Sequence, residues 1–258
     1  MKKIVASACC SLALAACGLA GSASAQYAEI KATFVLKGKA PEAKPIAANG
    51  AFCGTLKIQN ESLQVNKDNN GIQDVVLYPD PKTFDASKAD PAAKPIVATP
   101  VLDNKNCRFE PHLLVLKSGQ ELEIKNSDPE GHNANFSFIN NEPSNKQIPA
   151  KGAMKMKIPQ AEPAPIPVSC GSHSWMKAHI IVQDHPFVGV SNAKGELQLK
   201  GLPAGKIKLK IWQEAAKFKE VKVAGKALPV TRGAFEIDLK PGLNDLGTIE
   251  LDADIFKP

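Results

Sequence analysis

The sequence predicts an all-β protein with a larger and a smaller β unit. Apolar and polar residues alternate in runs such as "AEIKATFVLKG", residues 28–38, and a period of two is typical of a half-buried strand. Turn-rich or proline-containing stretches separate these runs. A long amphipathic helix is not predicted, because the alanine-rich stretch "DASKADPAAKP", residues 85–95, is broken by prolines.

The first 25 residues are predicted to be an export signal. Lys2 and Lys3 precede an apolar run, and Ala23-Ser24-Ala25 forms a small-residue cleavage site. We expect cleavage after Ala25 and a periplasmic or secreted protein. The alternative is a lipoprotein anchored through Cys17, because "LAACG", residues 14–18, resembles a bacterial lipobox. No other stretch approaches the roughly 20 apolar residues that span a bilayer, so no transmembrane segment is expected in the mature chain.

The charge pattern does not favour a nucleic-acid-binding protein. Without the two signal lysines the chain has 30 basic and 26 acidic residues. The small basic excess is spread along the sequence, which is typical of solvated strand faces. We therefore expect no nucleic-acid partner.

The larger unit is predicted to span residues 26–185. After the first strand, a second is expected in "GIQDVVLYPD" and a hairpin in "HLLVLKSGQELEIKNSD". Further strands are predicted in "HNANFSFIN", "MKMKIP" and "KAHIIVQDH". The proline-rich stretch "PQAEPAPIPVSC" must be extended as it leads to Cys170.

The smaller unit is predicted to span residues 186–258. Short alternating runs with "NAKG" and "GLPAG" turns follow one another at a spacing of eight to twelve residues, which is typical of a small β-sandwich. A boundary near Asp184–Pro186 has no flexible linker. The two units are therefore expected to pack rigidly against each other.

The cysteines outside the signal are Cys53, Cys107 and Cys170. An exported protein retains disulfides, and an odd number predicts one bridge and one free thiol. His173 and Met176 lie close to Cys170 in the sequence, so we predict a Cys53–Cys107 disulfide. The alternative for Cys170 is a buried thiol that acts as a small hydrophobic side chain.

The stretch "SCGSHSWMKAHIIV", residues 169–182, places three metal-ligand types three residues apart: Cys170, His173 and Met176. A mononuclear electron-transfer copper site needs a thiolate, two imidazoles and usually a weak axial thioether. His132 lies 38 residues before Cys170, at the start of a predicted strand. That separation allows a hairpin to bring the second imidazole to the loop.

These motifs resemble those of the cupredoxins, the type 1 blue copper proteins of the plastocyanin–amicyanin group. The His-Asn pair at residues 132–133 and the Cys-x-x-His-x-x-Met loop carry the resemblance. The stretches "FEPHLLVLKSGQELEIKNSDPEGHN", "CGSHSWMKAHIIVQDHPF" and "LKGLPAGKIKLKIWQE" are also similar to bacterial exported proteins called methylamine utilisation protein-like. This resemblance implies a cupredoxin-like Greek-key β-sandwich followed by a smaller sandwich that resembles carboxypeptidase regulatory or transthyretin-like domains.

The resemblance also implies one type 1 copper ion and its ligands. His132, Cys170 and His173 would be equatorial, and Met176 would be axial. Asn133 would link the two ligand loops by hydrogen bonds and favour the thiolate.

Two residues inside the loop are expected to modulate the site. Trp175 would shield the metal, and Ser174 departs from the proline that is common in the resembled proteins. The ring edge of His173 is expected near the surface, where electrons would pass.

The predicted function is single-electron transfer between redox protein partners, without enzymatic activity. The same ligands could hold zinc, so the sequence identifies the metal site more specifically than it identifies the metal. The alternative functions are a copper carrier and a structural or cell-surface binding module. The remaining histidines (His112, His179 and His185) are expected to be structural or on the surface, and Met154 and Met156 are expected to fill the core.

Overall fold

The computed structural model describes residues 27–257. The predicted signal, its cleavage site after Ala25 and the possible lipid anchor at Cys17 lie outside the described residues. The described chain is all-β, which confirms the predicted fold class. Among these residues no helix has the length and apolar character needed to cross a membrane.

Residues 27–257 form twenty strands and three short 3-10 helices. The strands are β1 (Tyr27–Lys37), β2 (Pro45–Ile46), β3 (Ile58–Gln59), β4 (Val76–Pro79), β5 (Val101–Lys105), β6 (Arg108–Glu110), β7 (Leu113–Lys117), β8 (Glu121–Asn126), β9 (His132–Phe136), β10 (Ser144–Ile148), β11 (Ala153–Lys157), β12 (Ile166–Ser169), β13 (Lys177–Gln183), β14 (Gly189–Val190), β15 (Glu196–Pro203), β16 (Gly205–Trp212), β17 (Glu220–Val223), β18 (Lys226–Pro229), β19 (Ala234–Leu239) and β20 (Gly242–Asp252). The 3-10 helices are Cys53–Thr55, Ala86–Lys88 and Ala253–Ile255.

Two sheets form the sandwich that carries the predicted ligands. The first has the strand order β10-β9-β12-β13-β7 and the second the order β11-β8-β5-β6. Their facing side chains make one apolar core that includes Phe109, Ile124, Phe136 and Ile180, all almost fully buried. Alternating side chains supply these residues because successive positions of a strand point to opposite faces. We call this unit the site sandwich.

A second pair of sheets, with orders β15-β1-β20 and β14-β4-β16-β19, encloses a separate core. Strand β1 lies in the middle of the three-stranded sheet, antiparallel to β15 and parallel to β20. Its residues Ile30 and Phe34 are fully buried. We call this unit the β1 sandwich, because its central strand comes from the start of the described chain.

The strand pairing crosses the boundary predicted between residues 185 and 186. Strands β1 and β4 were assigned to residues 26–185 by their position in the sequence, yet they pair with β14, β15, β16 and β20, which all follow residue 186. The division into 26–185 and 186–258 therefore does not describe the sheets. The alternation of apolar residues reveals that a strand has a buried face, but it does not reveal the strand's partners.

A third apolar cluster joins the two sandwiches. Strand β13 directs Ile180 and Val182 into the site-sandwich core, while Ile181 between them faces the β1 sandwich. Strands that are buried on both faces have nearly continuous apolar sequences, as in "HIIV" of β13. The junction cluster consists of Val76, Tyr78, Leu113, Val115, Ile181 and Val188.

Asp74, just before β4, lies near this junction in a left-handed backbone conformation, with φ of 61°. Burial raises its pKa from 3.8 to about 6. Because the folded state holds this proton more tightly than the unfolded state, stability contributed by the neutral form falls as pH rises from about 4 to about 6. We expect Asp74→Asn to stabilise the protein at pH 7 by about 1–3 kcal/mol, since asparagine tolerates this conformation.

Urea unfolding of Asp74→Asn and the wild type at pH 4 and pH 7, with a chelator present, measures this effect. The exposed Asp68→Asn variant is the matched control and should change stability little at either pH. An equal gain for Asp74→Asn at both pH values would contradict the explanation by proton linkage.

Candidate metal centre

A seven-residue loop, residues 170–176, carries three of the four predicted ligands. Strand β12 ends at Ser169 and strand β13 begins at Lys177, so the loop joins two paired antiparallel strands. The Cys170 N–H donates to the Met176 carbonyl at 3.2 Å, and the Met176 N–H donates to the His173 carbonyl at 2.9 Å. These two backbone bonds hold the loop closed and fix the spacing of its ligand side chains.

His132 reaches the same place from strand β9. Because β9 pairs with β12, with Ser169 opposite Asn135, the start of β9 lies beside the ligand loop. The Nδ1 atoms of His132 and His173 are 2.9 Å apart, and the Cys170 Sγ atom lies 3.7 Å from the His173 Nδ1. The structure thus brings together the predicted thiol and the two predicted imidazoles.

The separations of these donor atoms suit a metal ion. A tetrahedral ion with nitrogen ligands at 2.0–2.1 Å and a sulfur at about 2.3 Å separates two nitrogens by about 3.3 Å, and nitrogen from sulfur by about 3.6 Å. The observed sulfur–nitrogen distance matches, and the two rings need to move apart by only a few tenths of an ångström. Met176 is buried at the end of the loop, next to the same core.

Asp128 supports His132 from outside the donor set. The His132 Nε2 lies 2.9 Å from the Asp128 Oδ2, so the opposite ring nitrogen, Nδ1, is directed at the other donors. The buried carboxylate also accepts from the backbone N–H groups of Asn106 and Cys107 at 2.7 and 2.8 Å. Carboxylates that hold the outer nitrogen of a ligating histidine are typical of metal sites. No sequence pattern singled out Asp128, although it precedes His132 by only four residues.

Glu130 and the segment around Cys53 cover the outer edge of His173. The His173 Nε2 is 3.7 Å from the Glu130 Oε2 and 3.9 Å from the Cys53 Sγ. Glu130 in turn accepts the backbone N–H of Phe52 at 2.7 Å. His173 is only 8% exposed, so the expectation that its ring edge lies near the surface is wrong. Cys53, in this cover, is 120 residues away from His173 in sequence, which no local pattern reveals.

Asn133 connects the two ligand-bearing segments. Its Oδ1 accepts the Gly171 N–H at 2.8 Å, and its Nδ2 donates to the Asn145 Oδ1 at 2.7 Å. Its backbone N–H points at the Cys170 Sγ at 3.5 Å. This is the linking position that the resemblance implies for Asn133, and Asn145 on β10 is an additional partner.

The electrostatics of the donor set favour a thiolate. Burial by itself would raise the pKa of Cys170, but the nearby His132 and the backbone N–H of Asn133 outweigh it and lower the pKa to about 6. Burial likewise opposes protonation of His132, while Cys170 and Asp128 raise its pKa. A thiolate is the form of cysteine that binds metals.

The disulfide and the tryptophan support the ligand loop. Cys53 and Cys107 form the predicted disulfide, with a Cα–Cα distance of 5.7 Å, and Cys170 is the free cysteine within residues 27–257. The disulfide therefore leaves Cys170 as the thiol available to a metal. The Trp175 Nε1 donates to the Cys107 carbonyl at 3.1 Å, and its ring centroid lies 5.1 Å from that of His173. Trp175 thus packs against the His173 ring at an interplanar angle of 53°.

Three other residues considered from the sequence pack against apolar side chains. Met154 and Met156 on β11 are partly buried against the site-sandwich core. His185 is buried beside Phe84 and Phe187, with ring centroids 4.8 and 5.7 Å away, which agrees with a packing role.

Comparisons with known proteins give likenesses to copper proteins that cover about a third of the chain. No protein-family model matches the chain, and no curated protein is similar to it. A copper(I) form of an amicyanin variant is 20% identical, with a TM-score of 0.29, and covers 37% of this chain and 99% of its own.

Two other solved structures are similar to this chain at lower identity. A purple cupredoxin from Nitrosopumilus maritimus is 14% identical, with a TM-score of 0.28, and covers 33% of this chain and 99% of its own. A copper-containing nitrite reductase from Thermus scotoductus SA-01 is 16% identical, with a TM-score of 0.31, and covers 36% of this chain and 26% of its own.

Proposed function

We propose that this protein is an exported mononuclear type 1 copper protein that carries single electrons. One observation carries the proposal: the Cys170 Sγ and the His132 Nδ1 both lie within 4 Å of the His173 Nδ1. Two imidazoles, one thiolate and a weak thioether form the ligand set of electron-transfer copper sites. Met176, at the end of the same loop, would supply the thioether.

The residues of the chain hold this donor set in place. Asp128 orients His132, Asn133 ties the Cys170 loop to β9, and Trp175 covers His173. Bound copper would supply a one-electron couple between Cu(II) and Cu(I). Since the donors are fixed by backbone and side-chain bonds, little needs to move when the charge changes.

We propose that redox partners approach the outer side of the ligand loop. Ser174 is exposed and Trp175 is half-buried, whereas the His173 edge is covered. The predicted export to the periplasm or cell exterior suits such a carrier, and the protein would have no substrate chemistry of its own. Residues 186–258, for which the resemblance implies a likeness to carboxypeptidase regulatory domains, would form a rigid interaction module together with β1 and β4.

One observation favours a second candidate, a copper carrier without rapid electron transfer. Glu130 and the Cys53 segment cover the imidazole edge through which electrons would leave. A covered edge slows exchange between molecules. The rate of electron self-exchange between oxidised and reduced protein distinguishes the two candidates, because a slow rate favours the carrier.

The test of copper binding is the colour of the oxidised protein. Wild-type protein loaded with Cu(II) should absorb intensely in the visible range, because the Cys170 thiolate transfers charge to the metal. Cys170→Ser should lose this band completely. Ser174→Ala, an exposed change in the same loop, is the matched control and should stay blue. A wild-type protein that remains colourless with Cu(II) and binds only zinc would contradict the proposal.

A further inference from the structure

A second group of ligand-type side chains lies where the two sandwiches meet. His112 precedes β7, His179 lies on β13, and Glu214 follows β16 of the β1 sandwich. The Glu214 Oε2 lies 2.5 Å from the His112 Nε2 and 3.6 Å from the His179 Nδ1. One ligand atom from each of the three residues falls within 4.8 Å of the others.

The sheet register explains why the two histidines lie together. Strands β7 and β13 are parallel, with His179 opposite Leu113. The His179 N–H also donates to the His112 carbonyl at 2.9 Å. The two imidazoles therefore belong to one rigid sheet, and the junction of the two sandwiches brings Glu214 to them.

We propose that His112, His179 and Glu214 bind a divalent first-row transition metal ion, at a site separate from the Cys170 loop. Two imidazoles and one carboxylate are a set that binds zinc and leaves a position open, and imidazole also suits copper(II) and nickel. A divalent ion would link the site sandwich to the β1 sandwich through Glu214.

The surroundings of His112 resemble the outer shell of a metal site. Its Nδ1 points towards the Glu61 Oε2, 4.0 Å away, and Glu61 is ion-paired with Arg108. At this distance Glu61 adds negative charge beside the His112 ring but accepts no hydrogen bond from it. The bonding nitrogen, Nε2, then faces Glu214 and His179.

A plain ion pair between His112 and Glu214 does not account for the whole group. The His179 Nδ1, the atom that faces Glu214, is buried without a hydrogen-bond partner, and buried polar atoms of this kind are rare.

Two members of the group, His112 and Glu214, line an open cleft, and the surroundings of His112 are acidic. A cleft of about 220 Å³ is lined by His112 and Glu214 at one part and by Trp175 and Lys177 at another. The carboxylates of Asp74 and Glu61 add negative charge around His112. A divalent cation entering this cleft would offset that charge.

The test is a zinc titration of the metal-free protein followed by NMR of the histidine ring nitrogens. We expect two zinc equivalents. The rings of His132 and His173 should respond to one equivalent, and those of His112 and His179 to the other. Because the two pairs give separate signals, this result does not depend on whether the primary site accepts copper.

Two variants locate the second equivalent. Glu214→Gln and His179→Gln should lower the affinity for the second zinc ion by at least about a hundredfold and leave the binding of the first zinc ion unchanged. The exposed Glu220→Gln is the matched control and should retain both. If a variant folds poorly, the His112 and His179 ring signals of the wild-type protein during the zinc titration show whether these residues bind the second ion. Unmoved His112 and His179 signals, or an unchanged second equivalent in Glu214→Gln, would overturn the proposal.

Discussion

A chain consisting of residues 186–258 alone is expected not to fold. Its three-stranded sheet would lack β1, which pairs on one side with β15 and on the other with β20. Its four-stranded sheet would lack β4, which lies between β14 and β16. Without these strands β15 and β20 expose unpaired edges, and the core loses one wall. We expect no cooperative unfolding transition from this fragment.

The dependence of this core on β1 can be measured in the full chain with Phe34→Ala. Phe34 is fully buried on β1, in a core that β1 shares with strands that follow residue 186. Removing a buried phenylalanine side chain costs about 3–5 kcal/mol, so urea unfolding should show a loss of that size. Thr33→Ala, on the opposite face of β1, is the matched control and should cost less than about 1 kcal/mol. A cooperatively folded 186–258 fragment would contradict the observed pairing of β1.

Removing the disulfide is expected to cost about 4 kcal/mol. Cys53 and Cys107 are 54 residues apart, and cross-linking a loop of that length lowers the entropy of the unfolded chain by about this amount. The double variant Cys53→Ala/Cys107→Ala should therefore unfold at markedly lower urea concentration. It should also loosen the Cys53 segment over His173, because Glu130 then holds that segment through Phe52 alone.

Urea unfolding of the double variant measures the first effect, and the rate of electron self-exchange of the copper-loaded variant measures the second. Thr55→Ala, an exposed change in the same 3-10 helix, is the matched control and should leave both unchanged. A double variant within about 1 kcal/mol of the wild type would show that the bridge contributes little.

The candidate ligands could be predicted from the sequence because three of them share one short loop. Cys170, His173 and Met176 lie three residues apart, and a loop between paired strands keeps such neighbours close. His132 could be added because it begins a predicted strand. The odd number of cysteines after residue 25 predicted one bridge, and the neighbours of Cys170 left Cys53 and Cys107 as the pair, which the structure joins.

The support of the site could not be predicted in the same way. Glu130 acts on Phe52 and His173, which come from distant parts of the chain, and only the folded structure brings them together. Asp128 is close to His132 in sequence, but an acidic residue beside a turn is most often solvated. Its role in supporting His132 follows from its burial and from the hydrogen bonds that it accepts from the backbone N–H groups of Asn106 and Cys107.

By itself the sequence determined the all-β class, several of the strands, the disulfide pair and the residues that converge at the loop. These depend on side-chain alternation and on short-range spacing, which are properties of the chain alone. The hairpin predicted in residues 112–128 is not formed, because β7 pairs with β13 and β8 pairs with β5 and β11. Only the tertiary structure decided that β1 belongs with β15 and β20, that the His173 edge is covered, and that His112, His179 and Glu214 meet. The reason is that sheet pairing and packing join residues a hundred or more positions apart, and their register is set by the assembled cores rather than by any local pattern.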